Sequence, residues 1–188
     1  LGGTLYFFTE NTALKHTFAA NVSIIVAMAP ILTSILAHFF TRDEKLHTTV
    51  WVGFAVAMSG VVLVVLNGAL VLKLSPVGDL LAFLAAASWA CYSVLIKRLS
   101  GRVDSTLLAR RVILYGAVTS VPLLAARGEL SIDFTPLAQP KPLFCILFLA
   151  VLGSAVCFAV WNVVIDRLGV VHANNYIYLQ PFITIVAS

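Results

Sequence analysis

The stretch FAANVSIIVAMAPILTSILAHFF, residues 18–40, runs for 23 residues without an aspartate, glutamate, lysine or arginine. About 20 such residues make a helix long enough to cross the hydrocarbon core of a bilayer. Working outward, uncharged runs recur at residues 48–72, 80–96, 142–165 and 168–188, with a shorter one at 112–126 and part of another at 1–9. Composition agrees: 61% of residues are hydrophobic and 11% charged, against about a quarter charged in soluble domains. The chain therefore reads as an all-α, polytopic membrane bundle of about seven helices, the first and last cut short.

The net charge of +4 reports topology rather than nucleic-acid binding. If the loops alternate between two sides, Lys15, Lys73, Arg127 and Lys141 fall on one. Arg42, Lys45, Lys97, Arg98, Arg102, Arg110, Arg111 and Arg167 fall on the other. The richer side is cytoplasmic by the positive-inside rule, so the loop from Arg127 to Lys141, carrying Glu129 and Asp133, faces outward. Arg110 and Arg111 lie near enough to a helix end to snorkel. Cys91, Cys145 and Cys157 fall within spans without metal-ligand spacing and read as small packing residues, not a disulfide framework. The chain opens on Leu1 without a signal-peptide pattern and stops inside an apolar run, so both ends read as cut.

An internal repeat carries the strongest spacing signal. A tight turn at Lys15 is followed by Asn21, Ser23 and Pro30, and a tight turn at Arg167 by Asn174, Asn175 and Pro181. The basic-to-proline intervals are 15 and 14 residues. Five helices separate the turns, and an odd number places the two copies upside down relative to each other, as in secondary transporters. Completing the symmetry predicts ten spans in the whole protein, with residues 1–72 ending one repeat and residues 73–188 beginning the next. Two spans are then expected before Leu1 and one after Ser188.

The run from Glu10 to Asn21, the Ala29-Pro30 pair, Glu44, Trp51-Val52-Gly53 with Gly60-Val61, and Gly78-Asp79-Leu80-Leu81 leading to Ser88-Trp89-Ala90 resemble the EamA-type branch of the drug/metabolite transporter superfamily. The resemblance extends over the whole chain. It implies a ten-helix inverted-repeat carrier with both termini in the cytoplasm, moving amino acids, metabolites or drugs, often outward. The second copy's equivalent of Glu44 would fall beyond Ser188, so the resemblance attaches transport to a longer chain than this one.

Polar groups buried in hydrocarbon cost about 2.5–3.5 kcal/mol when charged and central, so each needs a reason to be there. Glu10 lies five residues before Lys15 and reads either as a proton carrier or counter-ion, or as a partner for Lys15 or interfacial water. Its repeat mate is Asn162, beside Trp161; Asn11, next to Glu10, joins the same candidate set. Asn174 and Tyr178 are four apart on one helical face and read as a cavity wall or as interhelical hydrogen bonding. Trp89 and Tyr92, with Tyr115 on the next helix, suit stacking on a planar or cationic substrate, or gap filling beside Ala85, Ala86, Ala87 and Ala90. Arg111 reads as an interface anchor before an anion contact. Pro30 and Pro181 free the carbonyls of Val26 and Ile177. Asp43 and Glu44 suit a helix start, and Asp79 reads as the N-cap of its helix.

The function expected is a secondary transporter, exporter or permease, working by alternating access in a cell (inner or plasma) membrane. Its partners are the lipid bilayer, a small-molecule substrate, protons as coupling ion and a second copy in a homo-oligomer, with no nucleic acid, metal or cofactor. One alternative is a non-transporting scaffold, suggested by small-residue faces at Gly53, Ser59 and Gly60. The other is a membrane acyltransferase, suggested by the His-x4-Asp spacing of His38 and Asp43, although His16, His47 and His172 form no metal triad with it. An enzyme is not expected.

Overall fold

The computed structural model describes residues 2–41, 48–66, 75–100, 102–126, 128 and 139–179, and every regular element among them is helical. The elements are α1 (Gly2–His16), α2 (Ala19–Val26), α3 (Ala29–Phe40), α4 (Thr48–Leu66), α5 (Pro76–Leu99), α6 (Ser105–Ala126) and α7 (Pro140–Phe148). A π-helical stretch (Leu149–Val156), α8 (Cys157–Leu168), α9 (Val170–Asn175) and a 3-10 turn (Tyr176–Leu179) follow. Asn21–Phe40, Pro76–Leu99, Ser105–Ala126 and Pro140–Leu168 are each long and apolar enough to cross a bilayer. Arg42, Asp43, Glu44, Lys45, His47, Lys73, Arg127, Glu129, Asp133, Gln180 and Pro181 lie outside the described residues.

The bundle is built around α5, which packs against α1, α2, α3, α8 and α9. Its inward stripe is small: Ala82, Ala85, Ala86 and Ala90 are all fully buried, and alanines let neighbouring helix backbones approach where lipid supplies no hydrophobic drive. Large apolar side chains point outward instead, among them Phe39, Leu63 and Phe144 at 74%, 74% and 69% exposure. That inversion of the soluble pattern suits a lipid environment.

Where α5 starts, the structure corrects one expectation. Ser75, not Asp79, is the N-cap: its Oγ accepts from the Gly78 N–H. Asp79 answers it by accepting from the Ser75 N–H at 3.1 Å and, through its other oxygen, from Thr17 Oγ1 at 3.1 Å and Asn21 Nδ2 at 3.5 Å. One carboxylate thus closes a reciprocal cap and clamps the α1–α2 turn onto α5.

The span from Phe18 to Phe40 is not one rod. After α2 the Met28 N–H bonds back three residues to the Ile25 carbonyl at 3.0 Å, tightening the chain just before Pro30, which sits at the start of α3. A proline cannot donate to the carbonyl four residues back, and the break lies at that point. α9 likewise gives way to the 3-10 turn ahead of Pro181. The α8–α9 turn is made by Gly169 with φ +86°, a left-handed conformation that favours glycine. Ser100, at the end of α5, hydrogen-bonds Asp166 of α8. The α1–α2 turn therefore lies at the start of α5 and the α8 end at its finish, about 36 Å of helix rise away.

Candidate functional site

Near the middle of α5, the indole of Trp89 touches three other helices. Its ring centroid lies 5.3 Å from Tyr6 of α1, 5.6 Å from Tyr92 and 5.7 Å from Trp161 of α8. Its Nε1 donates to Asn174 Oδ1 of α9 at 3.0 Å. Asn174 is fully buried, and its Nδ2 donates to the Val170 carbonyl at 2.9 Å. Its neighbour Asn175 is exposed, so only one of the paired asparagines turns inward. In an apolar medium an unmet amide is costly, and the Trp89 bond ties α9 to α5 for that reason.

A second layer repeats the pairing. The Tyr92 hydroxyl donates to Asn162 Oδ1 at 3.4 Å, while its ring meets Phe158 edge-on at 6.3 Å. On α1 the Tyr6 hydroxyl donates to Glu10 Oε1 at 2.9 Å, so the carboxylate is held by the same side chain that packs on Trp89. Among the described residues, Trp161 Nε1, Asn162 Nδ2, Ser93 Oγ and the Tyr178 hydroxyl are buried without a hydrogen-bond partner in the protein. These are polar atoms left over in a low-dielectric interior, where each carries a desolvation cost.

Of the residues singled out from sequence, Glu10, Trp89, Tyr92, Trp161, Asn162 and Asn174 come together in this cluster. Tyr178 is half-buried on the 3-10 turn that follows α9. Asn11 and Tyr115 lie elsewhere, on a cleft of about 1030 Å³ between α1, α5, α6 and α8 that Tyr92 also lines. Asn11 is exposed and donates to the Phe7 carbonyl at 2.9 Å. Arg111 and Lys15 line the cleft too. Sequence reasoning missed Tyr6; its signal was the four-residue spacing to Glu10 on one helix face.

Among the described residues, no three of His, Cys, Asp and Glu converge. The arrangement instead offers aromatic faces, amide groups and one carboxylate at the junction of α1, α5, α8 and α9. Such a set offers stacking, hydrogen-bonding and charge contacts in one place.

The model of the EamA-like transporter family matches residues 1–66 and 76–188. An uncharacterized transporter of Bacillus subtilis (strain 168), YyaM, is 30% identical over 182 residues, covering 93% of this chain and 57% of the relative. A probable terminal-alkyne amino-acid exporter of Streptantibioticus cattleyicolor is 27% identical over 187 residues, covering 100% of this chain and 61% of the relative. A solved protein crystal structure superposes with a TM-score of 0.77 at 20% identity, covering 100% of this chain and 66% of that one, which shows a shared fold. The chain spans about three-fifths of the length of the curated relatives it matches.

Proposed function

This chain belongs to the EamA-like transporter family, and from that premise we propose that its parent protein is a secondary transporter moving small amphipathic metabolites by alternating access across the cell membrane. Residues 1–72 and 73–188 contribute to two inverted repeats. The two helix–turn–helix units stand at opposite ends of α5 and meet at Trp89, the observation that carries the reading. A solute bound there would contact both units, and rocking one against the other would expose it to either side in turn.

Within the site, Trp161 and Asn162 present their unpaired polar atoms to the solute, Trp89 and Tyr92 shape its apolar wall, and Glu10 carries the coupling proton. An amino-acid-like solute fits this mixture, and the exporter named among the relatives supports that class. No step requires a bond to be made or broken, so the reading is a carrier and not an enzyme. A scaffold role has one observation in its favour: a Cβ at Gly53 or Gly60 of α4 would meet nothing within 4 Å among the described residues, and such a small-residue face suits close packing of a partner helix.

Counterflow of an amino-acid panel in vesicles holding the full-length protein, with an imposed pH gradient, separates the two. Transport of at least one solute is expected. Trp89→Phe, which strands Asn174 Oδ1 at a cost of about 1–3 kcal/mol, should cut flux roughly tenfold or more. Glu10→Gln should abolish its dependence on the gradient. Wild-type flux and pH response in both variants would refute the site, and no flux across the panel would favour the scaffold.

A further inference from the structure

Glu10 and Asn174 belong to different helix–turn–helix units, yet an unbroken run of side-chain contacts joins them. Tyr6 and Glu10 are four apart and share a face of α1, and the Tyr6 hydroxyl donates to Glu10 Oε1 at 2.9 Å. The ring of that tyrosine lies 5.3 Å from the Trp89 ring, tilted by 55°. Trp89 Nε1 then donates to the buried Asn174 Oδ1 at 3.0 Å. Two side chains, Tyr6 and Trp89, thus carry the carboxylate's contacts across to α9.

Tyr6 is attached at its two ends by different forces. Its ring needs only an aromatic neighbour, and a phenylalanine would serve Trp89 equally. Its hydroxyl holds a carboxylate, and such a bond is roughly twice as strong when the acceptor is ionised as when it is neutral. A low-dielectric surrounding widens that difference. When Glu10 takes up a proton from solvent, Tyr6 keeps its own, and the bond between them falls to the neutral kind. The ring then loses the restraint that fixes it against Trp89.

The other charges on the packed helices stand away from Glu10. α1 packs against α5, α2 and α6, and it runs antiparallel to α5, since Thr17 meets Gly78 while Tyr6 meets Trp89. Level with Glu10, α5 therefore presents Ala82, Ala85 and Ala86, all fully buried. Its Asp79 is engaged by Thr17 and Asn21 about 10 Å of rise away, and its Lys97 and Arg98 lie about 18 Å the other way. α2 has no charged residue. α6 runs alongside α1 from the contact of Thr4 with Gly116 and Thr119, which leaves Arg110 and Arg111 about 16 Å or more behind Glu10. On α1 itself Lys15 and His16 close the helix, turned by roughly 120–140° around its axis.

We infer that Tyr6 is a positioning residue that transmits the charge state of Glu10 to the tie between Trp89 and Asn174. With Glu10 ionised the two units are held together, and with Glu10 protonated the hold loosens. The inference rests on the reading of Glu10 as the proton-carrying group. It gives that group an output, because α1 belongs to the first unit and α9 to the second, so proton uptake biases how one unit sits against the other.

Pulsed electron spin resonance on the full-length protein in lipid nanodiscs tests this without any solute. With the native cysteines replaced, labels enter through Phe18→Cys in the first unit and His172→Cys in the second, both at exposed positions. The wild-type distance distribution should be narrow at alkaline pH and broaden at acid pH. Tyr6→Phe, which keeps the ring and removes the hydroxyl, should show the broad distribution at both. Glu10→Gln should do the same, and the double variant should match either single one, because Tyr6 acts through Glu10. Tyr6→Phe should also melt as wild type does, whereas Tyr6→Leu, which removes the ring as well, should melt lower. A wild-type pH response in Tyr6→Phe, with that response lost in Glu10→Gln, would overturn the role of Tyr6 and leave Glu10 as the proton carrier. A response that survives Glu10→Gln would sink both readings. Absence of any response in wild type would sink the inference alone if flux still follows the pH gradient.

Discussion

Gly78 is the residue on which the packing of the first hairpin against α5 turns. A Cβ there would lie 2.7 Å from Thr17 Cβ, 2.9 Å from Thr17 Cγ2 and 3.1 Å from the His16 carbonyl carbon. Thr17 cannot swing aside freely, because its hydroxyl donates to Asp79. Gly78→Ala should therefore cost about 1–3 kcal/mol, the usual penalty of overpacking, and lower the melting temperature of the purified full-length protein. Gly116→Ala is the control: its Cβ would meet only Thr4 Oγ1, at 3.9 Å, and its melting temperature should match wild type. Equal behaviour of the two would show that the α1–α5 contact is looser than drawn. Neither the clamp nor the close approach was legible in the sequence. Asp79 announced a helix start, but its partners Thr17 and Asn21 lie 62 and 58 residues away, and no local pattern encodes that distance.

At the scale of elements, the helices were legible where charge-free runs marked them and opaque where they break. Pro30 pointed to a disturbance, and the structure places it at Ala27–Met28, where a three-residue bond replaces the regular ladder. The π-helical stretch from Leu149 to Val156 gave no warning, because its residues LAVLGSAV are ordinary for a lipid-facing helix. Tyr6 escaped for the same reason: an aromatic in an apolar run looks like a lipid contact until its neighbour across the bundle is known. Asn162 and Asn174 stood out because an amide in hydrocarbon needs a partner, and both are buried with tyrosine or tryptophan donors. Pro30→Ala tests what the break does. Alanine restores an N–H able to bond the Val26 carbonyl, and interior proline costs a helix about 3 kcal/mol, so α2 and α3 should merge. The distance between spin labels at the exposed Phe18 and Phe39 should lengthen, and under the transport reading flux should slow as the hinge stiffens. An unchanged distance would place the cause of the bend outside the proline.

Across the whole molecule, helix direction and charge bias make one joint statement about orientation. The α1–α2 turn and the start of α5 share one end of the bundle, held by Asp79, while Ser100 and Asp166 share the other. α6 crosses from that second end, so Arg102 and Lys141, which flank α6, must lie on opposite sides of the bilayer. The basic residues then predict the sign: eight fall with Arg102 and four with Lys141, so the positive-inside rule expects Arg102 on the cytoplasmic side. In a full-length background with Cys91, Cys145 and Cys157 replaced, Lys141→Cys should react with an impermeant maleimide in intact cells. Arg102→Cys should react only after permeabilisation. Labelling of both from one side would break the helix count, because α6 would then not cross. The reverse pattern would keep the bundle intact but turn it over in the bilayer, so that the richer set of basic residues faced outward against the positive-inside rule.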